Sequence, residues 1–177
     1  ARIMSFKPAD GEEVVWQADP AQVDEPKWAH GGIPLCWPWF GAAPKEGLPK
    51  HGLLRSARWT LEEKLGRSGL VWSVASTPET KKLWPHDFRV LLTVRAGNNT
   101  LILTFVCENT GREPFEYTWG FHPYFAVADA HRVAVDGVRK PAASVREVMD
   151  ADGRAHVLED LVTGRTVSVS GLDNANW

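Results

Sequence analysis

The chain has 177 residues, 44% of them hydrophobic and 24% charged, which is the composition of a globular protein and excludes a disordered or collagen-like one. Its 20 lysines and arginines against 22 aspartates and glutamates give a formal net charge of -2 without long runs of one sign, so neither a nucleic acid nor an anionic membrane is implied as a partner. No stretch approaches the roughly 20 apolar residues that span a bilayer, and the opening ARIMSFKPADGEE lacks the apolar centre of a signal peptide; the expectation is a soluble, cytoplasmic protein.

In chain order, residues 2–8 (RIMSFKP) read as a strand already in progress at the N-terminus. Residues 30–41 (HGGIPLCWPWFG) combine glycines, rigid prolines and large rings, and Gly47, Pro49, His51, Gly52 and Arg55 follow closely. Such a loop lets backbone approach a ligand while rings form a wall, which suits a sugar; a loop simply packed on the core accounts for the composition equally well. Residues 58–64 (RWTLEEK) and 70–75 (LVWSVA) read as strands. A second aromatic cluster, Trp84-Pro85-His86-Asp87-Phe88, precedes a strand over 89–96 (RVLLTVRA). The turn Gly97-Asn98-Asn99 joins that strand to another over 99–110 (NTLILTFVCENT) in an antiparallel hairpin.

Residues 115–119 (FEYTW) are a further strand candidate, leading into a third cluster, Trp119-Gly120-Phe121-His122-Pro123-Tyr124-Phe125. His122, set among rings and followed by a backbone-restricting proline, is the best catalytic candidate, because an imidazole near its unperturbed pKa of about 6.5 transfers protons at neutral pH. A buried structural histidine is the competing reading. Residues 130–135 and 165–170 read as strands and residues 144–149 as a short helix. Short strands at close intervals with many turns predict an all-β antiparallel sandwich, one domain over 1–177, unfinished at both ends.

Other chemistries lack their signatures. Cys36 and Cys107 are far apart in apolar surroundings and read as two buried free thiols. His51, His86, His122 and Asp87 show no metal-ligand spacing, no Gly-x-Ser-x-Gly elbow announces a serine nucleophile, and no glycine-rich phosphate cradle occurs. His131 and His156 have no context that singles them out.

Four stretches in order, HGGIPLCWPWFG, LPKHGLLR, ETKKLWPHDF and FHPYFAVAD, resemble the motifs of the glucose-6-phosphate 1-epimerase (D-hexose-6-phosphate mutarotase) branch of the aldose 1-epimerase family. The resemblance implies the galactose-mutarotase-like β-supersandwich and a cofactor-free exchange of the α and β anomers of a hexose or hexose 6-phosphate. In that reaction an acid protonates the ring oxygen, a base removes the C1 hydroxyl proton, and the two exchange roles on closure. The family's acid falls on His122, its second active-site histidine on His51, and the arginine that follows on Arg55. Asp87, Trp37, Trp84 and His30 are the further substrate-binding candidates; His30 stands where the family motif has an arginine. Asp150 and Asp152 match a sugar-binding aspartate by position only. The family's base, a glutamate near the C-terminus, falls beyond Trp177, so the chain resembles the earlier part of an epimerase. A non-catalytic sugar-binding module on the same sandwich is the alternative.

Overall fold

The computed structural model describes residues 2–19, 31–140 and 154–171. The chain divides into two compact units, Ala1–Phe125 and Ala126–Trp177. Among the described residues no helix is long and apolar enough to cross a membrane.

The first unit holds two sheets. Strands β1 (Arg2–Ile3), β2 (Ile33–Cys36) and β7 (Gly120–Phe121) form one, in the order β1-β2-β7. Strands β3 (Thr60–Leu65), β4 (Gly69–Ala75), β5 (Phe88–Gly97) and β6 (Thr100–Asn109) form the other in sequential order, every pair antiparallel. The predicted hairpin is present: Asn98 and Asn99 both take positive φ (49° and 60°), the backbone a tight two-residue turn between right-twisted strands demands. Side chains in β5 and β6 alternate as the pleat requires, so that Phe88, Val90 and Leu92 turn inward with their cross-strand partners Phe105 and Cys107. Leu35, Trp37 and Leu54 meet Val74, Phe88 and Val90 in a buried cluster between the sheets, and Trp84, Phe105, Trp119 and Phe121 close around it. Each such aliphatic or phenyl side chain contributes about 1.5–3 kcal/mol by leaving water.

A short helix, α1 (Pro78–Leu83), links β4 to β5. Thr77 caps it: its hydroxyl accepts Thr80 N–H at 3.2 Å while the Thr80 hydroxyl accepts Thr77 N–H at 2.8 Å. With Pro78 at its first position, the Thr-Pro-Glu-Thr run was the available signal; six residues are too few for a visible helical period.

The second unit carries a sheet of β8 (Val133–Val135), β9 (Val138–Lys140), β10 (His156–Asp160) and β11 (Thr166–Val169), in the order β11-β10-β8-β9. Asp160 is buried, and its carboxylate accepts the backbone N–H groups of Ala128 and Val162, both at 2.9 Å. Those bonds hold its carboxyl down at about 2.

Several expectations change. Residues 115–119 form no strand: Thr118 N–H donates to the Pro38 carbonyl at 3.0 Å and its hydroxyl accepts Phe40 N–H at 2.9 Å, so the segment is tied to a loop and ladder pairing starts only at Gly120. The strand expected over 130–135 is shortened to Val133–Val135, because Arg132 N–H closes a turn onto the Asp129 carbonyl. Strand β2 shows no alternation in hydropathy since all four of its residues are buried. Both thiols are free, but Cys107 is only partly covered; burial pushes each up to about 11. The helix expected over 144–149 lies outside the described residues.

Candidate active site

The site begins with strand parity. Leu35 of β2 pairs with Phe121 of β7, and both turn to the core between the sheets. The next residues along the same ladder, Pro34 and His122, therefore face the opposite side; His122 N–H donates to the Pro34 carbonyl at 2.9 Å. Tyr124 N–H continues the ladder to the Gly32 carbonyl at 2.9 Å, and the Tyr124 ring stacks on His122 with centroids 5.0 Å apart.

His51 arrives from the loop after β2. Leu53 N–H donates to the Trp37 carbonyl at 2.8 Å, which draws residues 51–53 against the Trp37 backbone. Gly52 makes that approach possible: its φ is +78°, and a Cβ there would fall on the Trp37 carbonyl group. His51 itself adopts φ +66°, unusual for a side-chain-bearing residue. Two hydrogen bonds hold it, from His51 N–H to the Gly41 carbonyl at 2.9 Å and from Gly41 N–H to His51 Nδ1 at 3.1 Å.

The two imidazoles meet edge to face, with centroids 5.3 Å apart and planes at 82°. Phe40 touches both, 5.4 Å from His51 and 6.0 Å from His122. A backbone N–H can only donate, so the Gly41 bond requires Nδ1 of His51 to be bare and places the proton of the neutral ring on Nε2. Burial first, then the nearby His122, Lys50 and Arg55, depress the His51 imidazole to about 4. His51 is thus a neutral hydrogen-bond donor at physiological pH.

The structure joins His51, His122 and Arg55 through contact or charge. It engages Asp87 differently: the carboxylate takes Lys81 Nζ at 2.5 Å and the Ser76 hydroxyl at 3.0 Å, and the Lys81 bond, then that from Ser76, holds it below the usual carboxylate range. Trp37 is a correction. At 0% exposure it has no surface to give a sugar; its ring packs against Phe88 at 4.5 Å and Trp84 at 4.9 Å. Trp84, packed edge-on to Trp37 and 4.7 Å from Phe115, is likewise a ring of the core margin. His86 lies over Trp84 at 4.5 Å. His156, which had no evident context, is buried with Nδ1 2.8 Å from Asp136 Oδ2. His30, Asp150 and Asp152 lie outside the described residues.

Phe40, Gly41 and Tyr124 were missed as members of the site. Tyr124 was within reach of a parity argument, two residues beyond His122 and so on its face; Gly41 required knowing how the loop folds back.

The family model described as aldose 1-epimerase matches residues 1–171. A curated protein of Escherichia coli (strain K12) named "Putative glucose-6-phosphate 1-epimerase" is 40% identical over 141 residues, which cover 78% of this chain and 46% of that protein. One of Salmonella typhimurium with the same name is 36% identical over 141 residues, with the same shares covered. The chain thus spans about half the length of the curated relatives it matches. The crystal structure of a mutarotase, titled putative, from Salmonella typhimurium superposes with a TM-score of 0.71 at 27% identity, covering 96% of this chain and 63% of that one. The fold is the galactose-mutarotase-like antiparallel β-sandwich that the motifs led us to expect.

Proposed function

The chain belongs to the aldose 1-epimerase family, and on that premise we propose that the whole protein is a mutarotase exchanging the α and β anomers of a hexose or hexose 6-phosphate. The observation that carries the proposal is the edge-to-face pair of His51 and His122, 5.3 Å apart, with one ring fixed as a neutral donor. His51 is held neutral by burial and by the Gly41 bond at its Nδ1, and His122, on which the family's acid falls, is the member of the pair left to give the proton.

His122 gives its proton to the ring oxygen as the bond from C1 to that oxygen breaks and the C1 hydroxyl loses its proton to a base. The open-chain aldehyde then rotates about the bond between C1 and C2. Closure on the other face returns both protons, so the reaction needs no net supply of protons or electrons. His51 holds a sugar oxygen through Nε2–H without itself titrating, and Arg55 orients the substrate from beside it. No residue of 1–177 is assigned as the base; the resemblance implies a glutamate of the full-length protein. The match over 1–171 supports reading the chain as a single family domain.

Exchange NMR on the full-length protein with glucose 6-phosphate and with galactose, with and without EDTA, tests this. Anomer exchange faster than the buffer rate and indifferent to EDTA is the expected result. No acceleration with either sugar overturns the mutarotase reading, and loss on chelation overturns the purely acid–base one.

A further inference from the structure

The His122 imidazole is one ring of a stack. Residues 120, 122 and 124 follow one another on one face of the strand, and a Cβ at Gly120 would fall 3.0 Å from Phe40 Cδ2, so Phe40 sits over position 120. His122 therefore lies between Phe40 and Tyr124. Its centroid is 6.0 Å from that of Phe40 with planes 20° apart, and 5.0 Å from that of Tyr124 with planes 22° apart. Trp16 follows Tyr124 at 6.2 Å, its plane tilted by 31°.

Trp16 reaches this place through its backbone. Its N–H donates to the Tyr124 carbonyl at 2.8 Å and its carbonyl accepts Gly32 N–H at 2.8 Å, which stitches residue 16 between the segments that carry the site. Gly31, at φ +115°, permits the approach: a Cβ there would lie 2.5 Å from both the Trp16 carbonyl oxygen and Gln17 Cα. Val15 pairs with Phe125 and is turned to the core, so its neighbour Trp16 turns to the face that holds Tyr124 and His122. The Trp16 ring stays 42% exposed; it meets Tyr124 without being sealed into the core.

We propose that Tyr124, braced by Trp16, is a positioning residue for His122, holding the imidazole in the plane from which its N–H meets the ring oxygen of the sugar. The inference rests on the mutarotase reading, which makes His122 the acid. Rings stacked on the faces of an imidazole oppose its rotation without engaging either nitrogen, and they leave only its edge to the substrate. Proton transfer needs the N–H and the accepting oxygen in line, so a tilt of the plane is felt in turnover more than in sugar binding.

The test uses the full-length protein with Tyr124→Leu, which removes the flat ring, Tyr124→Phe, which keeps the ring without its hydroxyl, and Trp16→Leu. Anomer exchange is measured with glucose 6-phosphate and galactose. Misplacing a reacting group by about 1 Å costs up to roughly 100-fold, so Tyr124→Leu is expected to lower kcat by roughly 10- to 100-fold with KM within a few-fold. Tyr124→Phe recovers most of that loss, and Trp16→Leu lowers kcat by a few-fold. In a His122→Asn background Tyr124→Leu costs little more, because the ring it positions is gone. Equal losses in both backgrounds, a loss carried by KM, or Tyr124→Phe as slow as Tyr124→Leu overturns the assignment. Should Tyr124→Leu not fold, Trp16→Leu decides: an unchanged kcat overturns it and a lowered kcat at constant KM upholds it. If the wild type exchanges neither sugar, the mutarotase reading fails by itself, and carbon–proton spectra of the His122 ring still decide the positioning. One narrow set of signals in the wild type and Tyr124→Phe, broadened or doubled in Tyr124→Leu, upholds it; equally narrow signals in all three overturn it.

Discussion

Gly41 and His51, ten positions apart, hold each other by two hydrogen bonds, one between backbones at 2.9 Å and one from Gly41 N–H to the imidazole Nδ1 at 3.1 Å. The second bond fixes a tautomer. Long-range proton–nitrogen correlation spectra at pH 7 are expected to show His51 with a bare Nδ1 and a protonated Nε2, and to keep showing it well below pH 6. A doubly protonated His51 ring at pH 6 would contradict the geometry.

The same residue makes stability depend on pH with a definite sign. The His51 imidazole is depressed from 6.5 to about 4 in the folded protein, so between those values the unfolded chain binds the extra proton. The contribution of neutral His51 is complete above about 6.5 and is lost as pH falls toward 4. Asparagine tolerates a positive φ and retains an acceptor, so His51→Asn keeps the fold without the titration. Denaturant midpoints at pH 7 and pH 4.5 are expected to fall further in the wild type than in His51→Asn; parallel falls would remove His51 as the cause.

His122→Asn separates proton transfer from positioning. Asparagine keeps a hydrogen-bonding group beside Tyr124 but supplies no proton near neutral pH. Turnover of the full-length protein is expected to drop by roughly 100-fold or more, with sugar affinity within a few-fold, because an acid acts mainly in the transition state. Turnover at the wild-type rate would make His122 structural and move the search for the acid elsewhere.

Trp37→Ala is expected to act on stability. The ring is fully buried between Phe88 and Trp84, and removing a buried tryptophan costs about 3–5 kcal/mol. A chemical denaturation series reads this as a large shift in midpoint, while sugar affinity measured below that midpoint stays close to the wild type. A selective loss of sugar affinity with unchanged stability would return Trp37 to the binding site.

Much of this protein was legible in its sequence. The alternation in residues 89–96 and 99–110, with two asparagines between them, specifies a hairpin because pleat and turn are local properties of the chain. The order of the His-Gly, Trp-Pro-His-Asp and His-Pro-Tyr motifs identified the family, since such strings are read without any geometry. Long-range packing decided the rest. Trp37 and His51 come from loops of similar composition, yet Trp37 is sealed in the core and His51 reaches the site, because the Trp37 carbonyl captures Leu53 N–H and turns the intervening chain. Arg2 is separated from His122 by 120 positions in the numbering and by a single strand in space. Their shared row is created by sheet register, and register comes from which strands pair, a relation between distant segments that no local pattern encodes.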